Sequence, residues 1–200
     1  MKQQLQQVLS CRQKQRIIDT GRVAAAVLVP IYCKQGQPYL LFTKRTSKVK
    51  EHKGEISFPG GAYQKGDKTL VDTALRECAE EIGLMADEVE ILGELDDMAT
   101  VVSNYIVTPF VGLIPWPHQL KVDGEEVEEI IEVPIRSLLD RSCMHQETDV
   151  LNGVENTLYF YHYQGRVIWG ATARILNQFL DIFAQKPASG SLFLWLVPIL

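Results

Sequence analysis

The sequence lacks several features that would mark a membrane, secreted or zinc-stabilised protein. Its longest nearly unbroken apolar stretches cover residues 23–33 and 192–200, well short of the roughly 18–20 residues that cross a bilayer. Its four cysteines lie far apart without a CxxC pair, which argues against structural zinc and a disulfide framework. The glutamine-rich first residues are not typical of a signal peptide. We therefore expect a cytoplasmic protein without a stable membrane span.

The chain also has fewer basic than acidic residues. Lysine and arginine number 20 against 25 aspartates and glutamates, so the formal net charge is −5. A negative chain is a poor candidate for wrapping nucleic acid, and we expect no nucleic-acid partner. Apolar residues make up 46% of the 200 residues, which is enough to build a real core.

Apolar periodicity and turn residues divide the chain into strands and helices. Strands are predicted at residues 23–32, 39–43, 89–95, 105–114 and 127–133, with a hairpin at 157–169. Helices are predicted at residues 1–20, 70–83 and 171–183, with a short helical turn at 135–139. This mixture predicts an α/β protein with a mixed sheet clad by helices. We divide the chain into an N-terminal helix (1–21), a main domain (22–184) and an apolar tail (185–200).

The helix predicted at residues 70–83 carries three carboxylates close together. At about 100° per residue, Glu77, Glu80 and Glu81 share an arc of about 100°. Like charges at this spacing destabilise a helix by about 0.2–0.5 kcal/mol per pair, and the helix dipole adds to the penalty. A hard divalent cation such as Mg²⁺ or Mn²⁺ would relieve both. Taken alone, the pattern is more often an acidic face turned to solvent.

The residues around this helix favour the metal site, because the segment resembles the Nudix hydrolase family. The family signature is G-x5-E-x7-R-E-U-x-E-E-x-G-U, where U is aliphatic. The matching residues are Gly61, Arg76, Glu77, Glu80, Glu81, Gly83 and Leu84, with Cys78 at a U position. Asp67 replaces the first Glu, and eight residues rather than seven separate it from Arg76. That first acid is usually peripheral in the family, so the departure puts the role of Asp67 in doubt more than the metal site.

The resemblance implies the Nudix fold, an α/β/α sandwich around a mixed sheet, over about residues 22–184. It also implies metal-assisted hydrolysis of a small nucleotide, a nucleoside diphosphate linked to another group. Glu77 and Glu81 would be direct ligands of Mg²⁺ or Mn²⁺, and Glu80 a further ligand or the general base. Arg76 would hold the glutamates by ion pairs and belong to the catalytic set.

The segment before the helix resembles the upstream signature of Nudix coenzyme A diphosphatases, roughly L-L-T-x-R-S-x3-R-x3-G-x3-F-P-G-G. Arg45, Gly54 and the FPGG run at 58–61 match in register, while Lys50 replaces the second arginine and keeps only its charge. The resemblance implies substrate contacts from Arg45, Lys50, Gly60 and Gly61. Independently, five cations in residues 44–53 would suit the diphosphate and 3′-phosphate of coenzyme A. A solvated basic loop is the alternative.

Three functions stay open. The first is a coenzyme A diphosphatase, which releases 3′,5′-ADP and 4′-phosphopantetheine. The second is a Nudix hydrolase of ADP-ribose, nucleotide sugars or other nucleoside diphosphate derivatives. The third is a non-catalytic nucleotide-binding regulator, which the intact set of acids disfavours. Glu126 or Glu129 could supply an additional acid, and a solvated acidic edge explains them equally well.

Two segments near the C-terminus are less informative. Residues 166–176 resemble the closing segment of the same subfamily, but packing at a helix start is the favoured explanation, with Trp169 buried. Residues 191–200 are almost continuously apolar, which would be a liability if they were exposed. We expect them to fold back on the domain or to enter a homodimer interface, and a membrane-surface role is the less favoured alternative.

Overall fold

The computed structural model describes residues 1–19, 21–49, 52–100, 103–151 and 154–185. The helices are α1 (Lys2–Cys11), α2 (Leu70–Ile82), α3 (Ile135–Leu139) and α4 (Gly170–Phe183). The strands are β1 (Val23–Lys34), β2 (Gln37–Arg45), β3 (Ile56–Ser57), β4 (Gly60–Ala62), β5 (Glu90–Glu94), β6 (Met98–Ala99), β7 (Tyr105–Leu113), β8 (Val127–Pro134), β9 (Met144–Leu151), β10 (Val154–Tyr163) and β11 (Arg166–Ile168). The apolar tail predicted at residues 191–200 lies outside the described residues.

A mixed sheet forms the centre of the described part of the chain. Its strands run in the order β3-β2-β1-β7-β5, while β4 pairs with β1, β6 with β7 and β8 with β2. Strands β1 and β7 are parallel from Val23↔Tyr105 to Ile31↔Leu113, and the other pairs are antiparallel. Strands β9, β10 and β11 form a separate antiparallel sheet.

Apolar side chains from the sheet build a core on each of its faces. Leu28 of β1 packs in the cluster that contains Ile82 of α2. Its neighbour Val29 packs in the cluster that contains Leu9 of α1 and Phe179 of α4. Successive side chains of a strand point to opposite faces, so helices cover both sides of the sheet. The predicted α/β/α sandwich with a mixed sheet is confirmed.

The N-terminal helix is shorter than the sequence predicts. It ends at Cys11, and the prediction of a helix is wrong for residues 12–19. Arg12 and Lys14 follow it and form ion pairs with Asp96 at 2.7 Å and with Glu94 at 2.8 Å. These contacts hold the chain against the turn after β5 and compete with continuation of the helix.

Two further findings concern membrane spans and cysteines. No helix among the described residues is long and apolar enough to cross a membrane. All four cysteines are free thiols, with Cys78 buried and Cys11 and Cys33 exposed.

Candidate active site

Helix α2 is fixed at both ends by its own sequence. Thr69 caps the first turn, because its side chain accepts the N–H of Asp72 at 3.2 Å while the Asp72 carboxylate accepts the N–H of Thr69 at 2.8 Å. Gly83 ends the helix in the left-handed conformation with φ 70°, which a glycine adopts without strain. The two caps fix where α2 begins and ends. Its acidic face lies against the strands that precede it.

Arg76 is the centre of an ion-pair network on this helix. Its Nη1 lies 2.8 Å from Oε1 of Glu77 and 3.0 Å from Oε2 of Glu80. Its Nε lies 2.9 Å from Oδ1 of Asp67. The guanidinium therefore joins three carboxylates, two of which the sequence places on the metal-binding face.

Asp67, expected to be peripheral, is instead a buried anchor. Its carboxylate accepts hydrogen bonds from Arg76, from the Gln64 N–H at 3.0 Å and from the Thr73 hydroxyl at 2.8 Å. The Arg76 hydrogen bond, followed by the Gln64 N–H, holds the pKa of Asp67 well below its usual range. Asp67 thus ties the loop before α2 to the helix, despite the extra residue between it and Arg76.

Glu77 and Glu81 lie beside the glycines of β4. The Gly60 N–H donates to Oε2 of Glu81 at 3.3 Å, and a Cβ atom added to Gly61 would lie 2.6 Å from Cδ of Glu77. Burial, and then the neighbouring Glu77 carboxylate, raises the pKa of Glu81 to about 8. Burial also raises the pKa of Glu77 against the opposing effect of Arg76.

Arg45 and Glu126 complete this cluster. Nη1 of Arg45 lies 4.0 Å from Oε1 of Glu81, and its Nη2 lies 3.5 Å from Oε2 of Glu126. Nε of Arg45 is buried without a hydrogen-bond partner among the described residues. Glu129 instead pairs with Arg166, so Glu126 is the additional acid that lies at the site. The sequence left these two glutamates undecided.

Two predicted site residues remain, Glu80 and Lys50. Glu80 is exposed and is held by Arg76, and Lys50 lies outside the described residues. No three Asp, Glu, His or Cys side chains in the described ranges are arranged to hold a metal ion. Mg²⁺ usually keeps water and substrate oxygens in its shell. The buried carboxylate of Glu81, whose nearest cation is Arg45 at 4.0 Å, and the neighbouring carboxylate of Glu77 therefore fit such an ion.

Of the five predicted cations, four lie in the described part of the chain, and three of these are paired with acids. Lys44 pairs with Glu128 at 2.5 Å and Lys48 with Glu125 at 3.0 Å. Arg45 pairs with Glu126, while Lys53 has no ion pair with a residue that the structure describes. Acids just before and within β8 therefore balance three of the cations, which corrects the expectation from the sequence.

An open cavity of about 520 Å³ lies beside the same end of β2. Its walls include three cationic side chains and one aromatic ring. The lining residues include Lys44, Lys53, Glu129, Arg166 and Trp169. Trp169 is 47% exposed, so the prediction that it is buried is wrong, and its ring faces space that a ligand can enter.

Comparison with known proteins shows which family this chain belongs to. Residues 22–150 match the NUDIX domain. The chain is 40% identical over 163 residues to the uncharacterized Nudix hydrolase NudL of Photorhabdus laumondii, covering 82% of this chain and 86% of that protein. It is 38% identical over 153 residues to the protein of the same name from Yersinia pestis, covering 76% of each. A MutT/nudix family protein from Enterococcus faecalis has a similar fold, with a TM-score of 0.52 and 14% identity over 86% of this chain and 71% of that one.

These matches, together with the fold, define an enzyme class, the hydrolases of pyrophosphate bonds in nucleoside diphosphate derivatives. The chain belongs to the Nudix hydrolase family. Members of this family generally use divalent metal ions. The family prediction made from the helix signature is confirmed.

Proposed function

We propose that this enzyme hydrolyses the diphosphate bond of coenzyme A or its thioesters, giving 3′,5′-ADP and 4′-phosphopantetheine or its acyl form. One observation supports this most. The segment that resembles the coenzyme A diphosphatase signature meets the Nudix helix, because Arg45 faces Glu81 and Gly60 donates to the same carboxylate. The upstream signature and the acids therefore form one site.

We propose Glu77 and Glu81 as direct ligands of Mg²⁺ or Mn²⁺, with Glu80 as a further ligand or the general base. A bound cation would neutralise the diphosphate and lower the pKa of an attacking water. Arg76 orients Glu77 through its 2.8 Å contact. Glu80 is exposed and pairs with Arg76, so as the base it would give up that ion pair to accept a proton from water. Glu126 is the alternative base, because it lies across Arg45 from Glu81.

Arg45 is our candidate for binding the diphosphate. Its guanidinium now lies between the carboxylates of Glu81 and Glu126. Phosphate oxygens offer the same charge-assisted, two-pronged hydrogen bonds that carboxylates do. We propose that Arg45 exchanges its contact with Glu126 for a phosphate oxygen when substrate enters.

The cavity is our candidate for the adenosine 3′-phosphate end of the substrate. Its volume falls within the range of small-molecule sites, about 300–1,000 Å³. Lys44, Lys53 and Arg166 supply positive charge, and Trp169 offers an aromatic face on which a base can stack. An incoming phosphate would compete with Glu128 and Glu129 for Lys44 and Arg166.

The test is a comparison of kcat/KM for coenzyme A, dephospho-coenzyme A, ADP-ribose and a nucleotide sugar, each with Mg²⁺ and with Mn²⁺. We expect coenzyme A to be best and dephospho-coenzyme A to be roughly ten- to a hundredfold poorer, because it lacks one charge-assisted contact. Arg166→Gln should reduce that ratio, whereas Arg136→Gln, a surface arginine of α3, should not. Faster turnover of ADP-ribose or the sugar would favour the alternative substrates.

We also propose a cytoplasmic location, which the four free thiols support. The homodimer predicted from residues 191–200 stays a prediction, since that segment lies outside the described residues.

A further inference from the structure

Two histidines meet on the β9–β10 hairpin, away from the carboxylate cluster. His145 of β9 pairs with Phe160 of β10, and His162 lies two residues further along β10. Residues two apart on a strand share a face, so both imidazoles lie on one side of the hairpin. Nδ1 of His145 and Nε2 of His162 are 3.2 Å apart.

The ring of His145 is held from two directions. Phe160 stacks on it with ring centroids 4.8 Å apart and an interplanar angle of 6°. Oε1 of Glu147 lies 3.5 Å from Nε2, the ring nitrogen that faces away from His162. A metal-binding histidine usually donates its second N–H to a carboxylate, a backbone carbonyl or water, which fixes the tautomer and the ring orientation.

We propose that His145 and His162 bind a divalent transition-metal ion of the zinc class. Two imidazole nitrogens at 2.0–2.1 Å from a tetrahedral ion lie about 3.3 Å apart, close to the observed separation. Imidazole suits Zn²⁺, Ni²⁺ and Cu²⁺, whereas carboxylates and water suit Mg²⁺ and Mn²⁺. The hairpin pair therefore favours ions of the zinc class over Mg²⁺ and Mn²⁺.

The proton that lies between the two rings must move when an ion binds. When Nε2–H of His145 faces Glu147, Nδ1 of His145 is the acceptor and Nε2–H of His162 is the donor. The ion takes the lone pairs of Nδ1 of His145 and Nε2 of His162. The displaced proton of His162 moves to its own Nδ1, so both rings stay neutral.

The site is open. Within the ranges that the structure describes, no third Asp, Glu, His or Cys joins the pair to form a metal-binding group. Water fills the remaining positions, as it does at exchangeable rather than closed structural sites. The ion therefore binds reversibly and is removed by a chelator.

The test is calorimetric titration of the full chain with Zn²⁺ and with Ni²⁺, in excess Mg²⁺ so that the carboxylate site is occupied. We expect one site in the wild type, its loss in His145→Ala and in His162→Ala, and binding about tenfold weaker in Glu147→Gln. Circular dichroism verifies that each variant is folded.

His52→Ala is the matched control. His52 is exposed and its Nδ1 lies 2.9 Å from Oε2 of Glu55, so it has a carboxylate partner but no second histidine. Its removal should leave the titration unchanged. The proposal is overturned if the wild type binds neither ion, if binding persists in either hairpin variant, or if it is lost in His52→Ala.

Discussion

Glu77 and Glu81 are both buried carboxylates, but their negative charges are compensated differently. Glu77 receives a direct 2.8 Å ion pair from Arg76. Glu81 has one N–H donor and the more distant Arg45, and its pKa is raised to about 8. Burial without a close counter-charge disfavours the ionised form. Glu81 is therefore the carboxylate that gains most from a cation beside it.

Glu77→Gln and Glu81→Gln should each lower kcat/KM by about 10²-fold or more, because each removes the charge of a proposed metal ligand while keeping the shape of the side chain. The fold should survive, since the substitutions relieve repulsion between the two carboxylates. Steady-state kinetics and thermal melting measure the two effects. Glu147→Gln is the charge-matched control and should keep full activity. Wild-type activity in either α2 variant would remove that residue from the site.

Asp67 should make stability depend on pH in acid. Its pKa is lower in the folded than in the unfolded chain, so it contributes stability that is fully present above its unfolded pKa, about 3.9. That stability is lost as pH falls toward the folded value. Asp67→Asn should be less stable than the wild type at neutral pH and should show a flatter profile in acid. Urea unfolding at a series of pH values measures both.

Asp87→Asn is the control for this experiment. Asp87 is an exposed aspartate in the short turn after α2, and its amide variant should follow the wild-type profile. An unchanged acid profile in Asp67→Asn would show that its bonds to Arg76, Gln64 and Thr73 do not stabilise the fold.

Elements with strong local signals could be predicted from the sequence. The helix predicted at 70–83 is observed as Leu70–Ile82 with Gly83 as its cap, because the apolar period, the capping threonine and the glycine are all local. Strand β9 does not follow from the sequence, since its residues MHQETDVL have no alternation of apolar and polar residues. The two- and three-residue strands β3 and β4 do not follow either, because contacts with distant strands define them.

Part of the site also follows from the sequence, and part of it does not. The shared face of Glu77 and Glu81 and the ion pair of Arg76 with Glu80 follow from helical spacing. The meeting of Arg45 with Glu126 does not, because it depends on the pairing of β2 with β8, where Arg45 is opposite Val127. Residues about 80 positions apart are joined there by sheet register, which one sequence does not reveal.

Gly61→Ala tests how β4 supports α2. The added Cβ would lie 2.6 Å from the Glu77 carboxylate, which is the movable end of a side chain. Glu77 should shift, so activity should fall at least tenfold while thermal stability changes little. Gly66→Ala, in the loop between β4 and α2, is the matched control, since nothing lies within 4 Å of its added Cβ. Equal activity of the two variants would contradict a role for Gly61 in placing Glu77.

In the molecule as a whole, the two apolar cores lie on opposite faces of the sheet, and only one of them contains the helix that carries the acidic cluster. Helix α2 packs on one face of the sheet, with Ala74, Cys78 and Ile82 in its core. Helices α1 and α4 pack on the other face. A change in the second core therefore lies across the sheet from the acidic cluster.

Leu9→Ala is our test of this separation. Leu9 is 5% exposed and sits over Gly93 of β5, where an added Cβ would lie 2.7 Å from the leucine. Truncating a buried leucine costs about 2–5 kcal/mol, so urea unfolding should show a loss in that range. Values of kcat/KM measured well below the melting temperature should match the wild type. Gln7→Ala, on the exposed side of α1, should change stability by less than about 0.5 kcal/mol. If Leu9→Ala unfolds like the wild type, α1 does not stabilise the domain, and if it loses activity while folded, the two faces of the sheet are coupled.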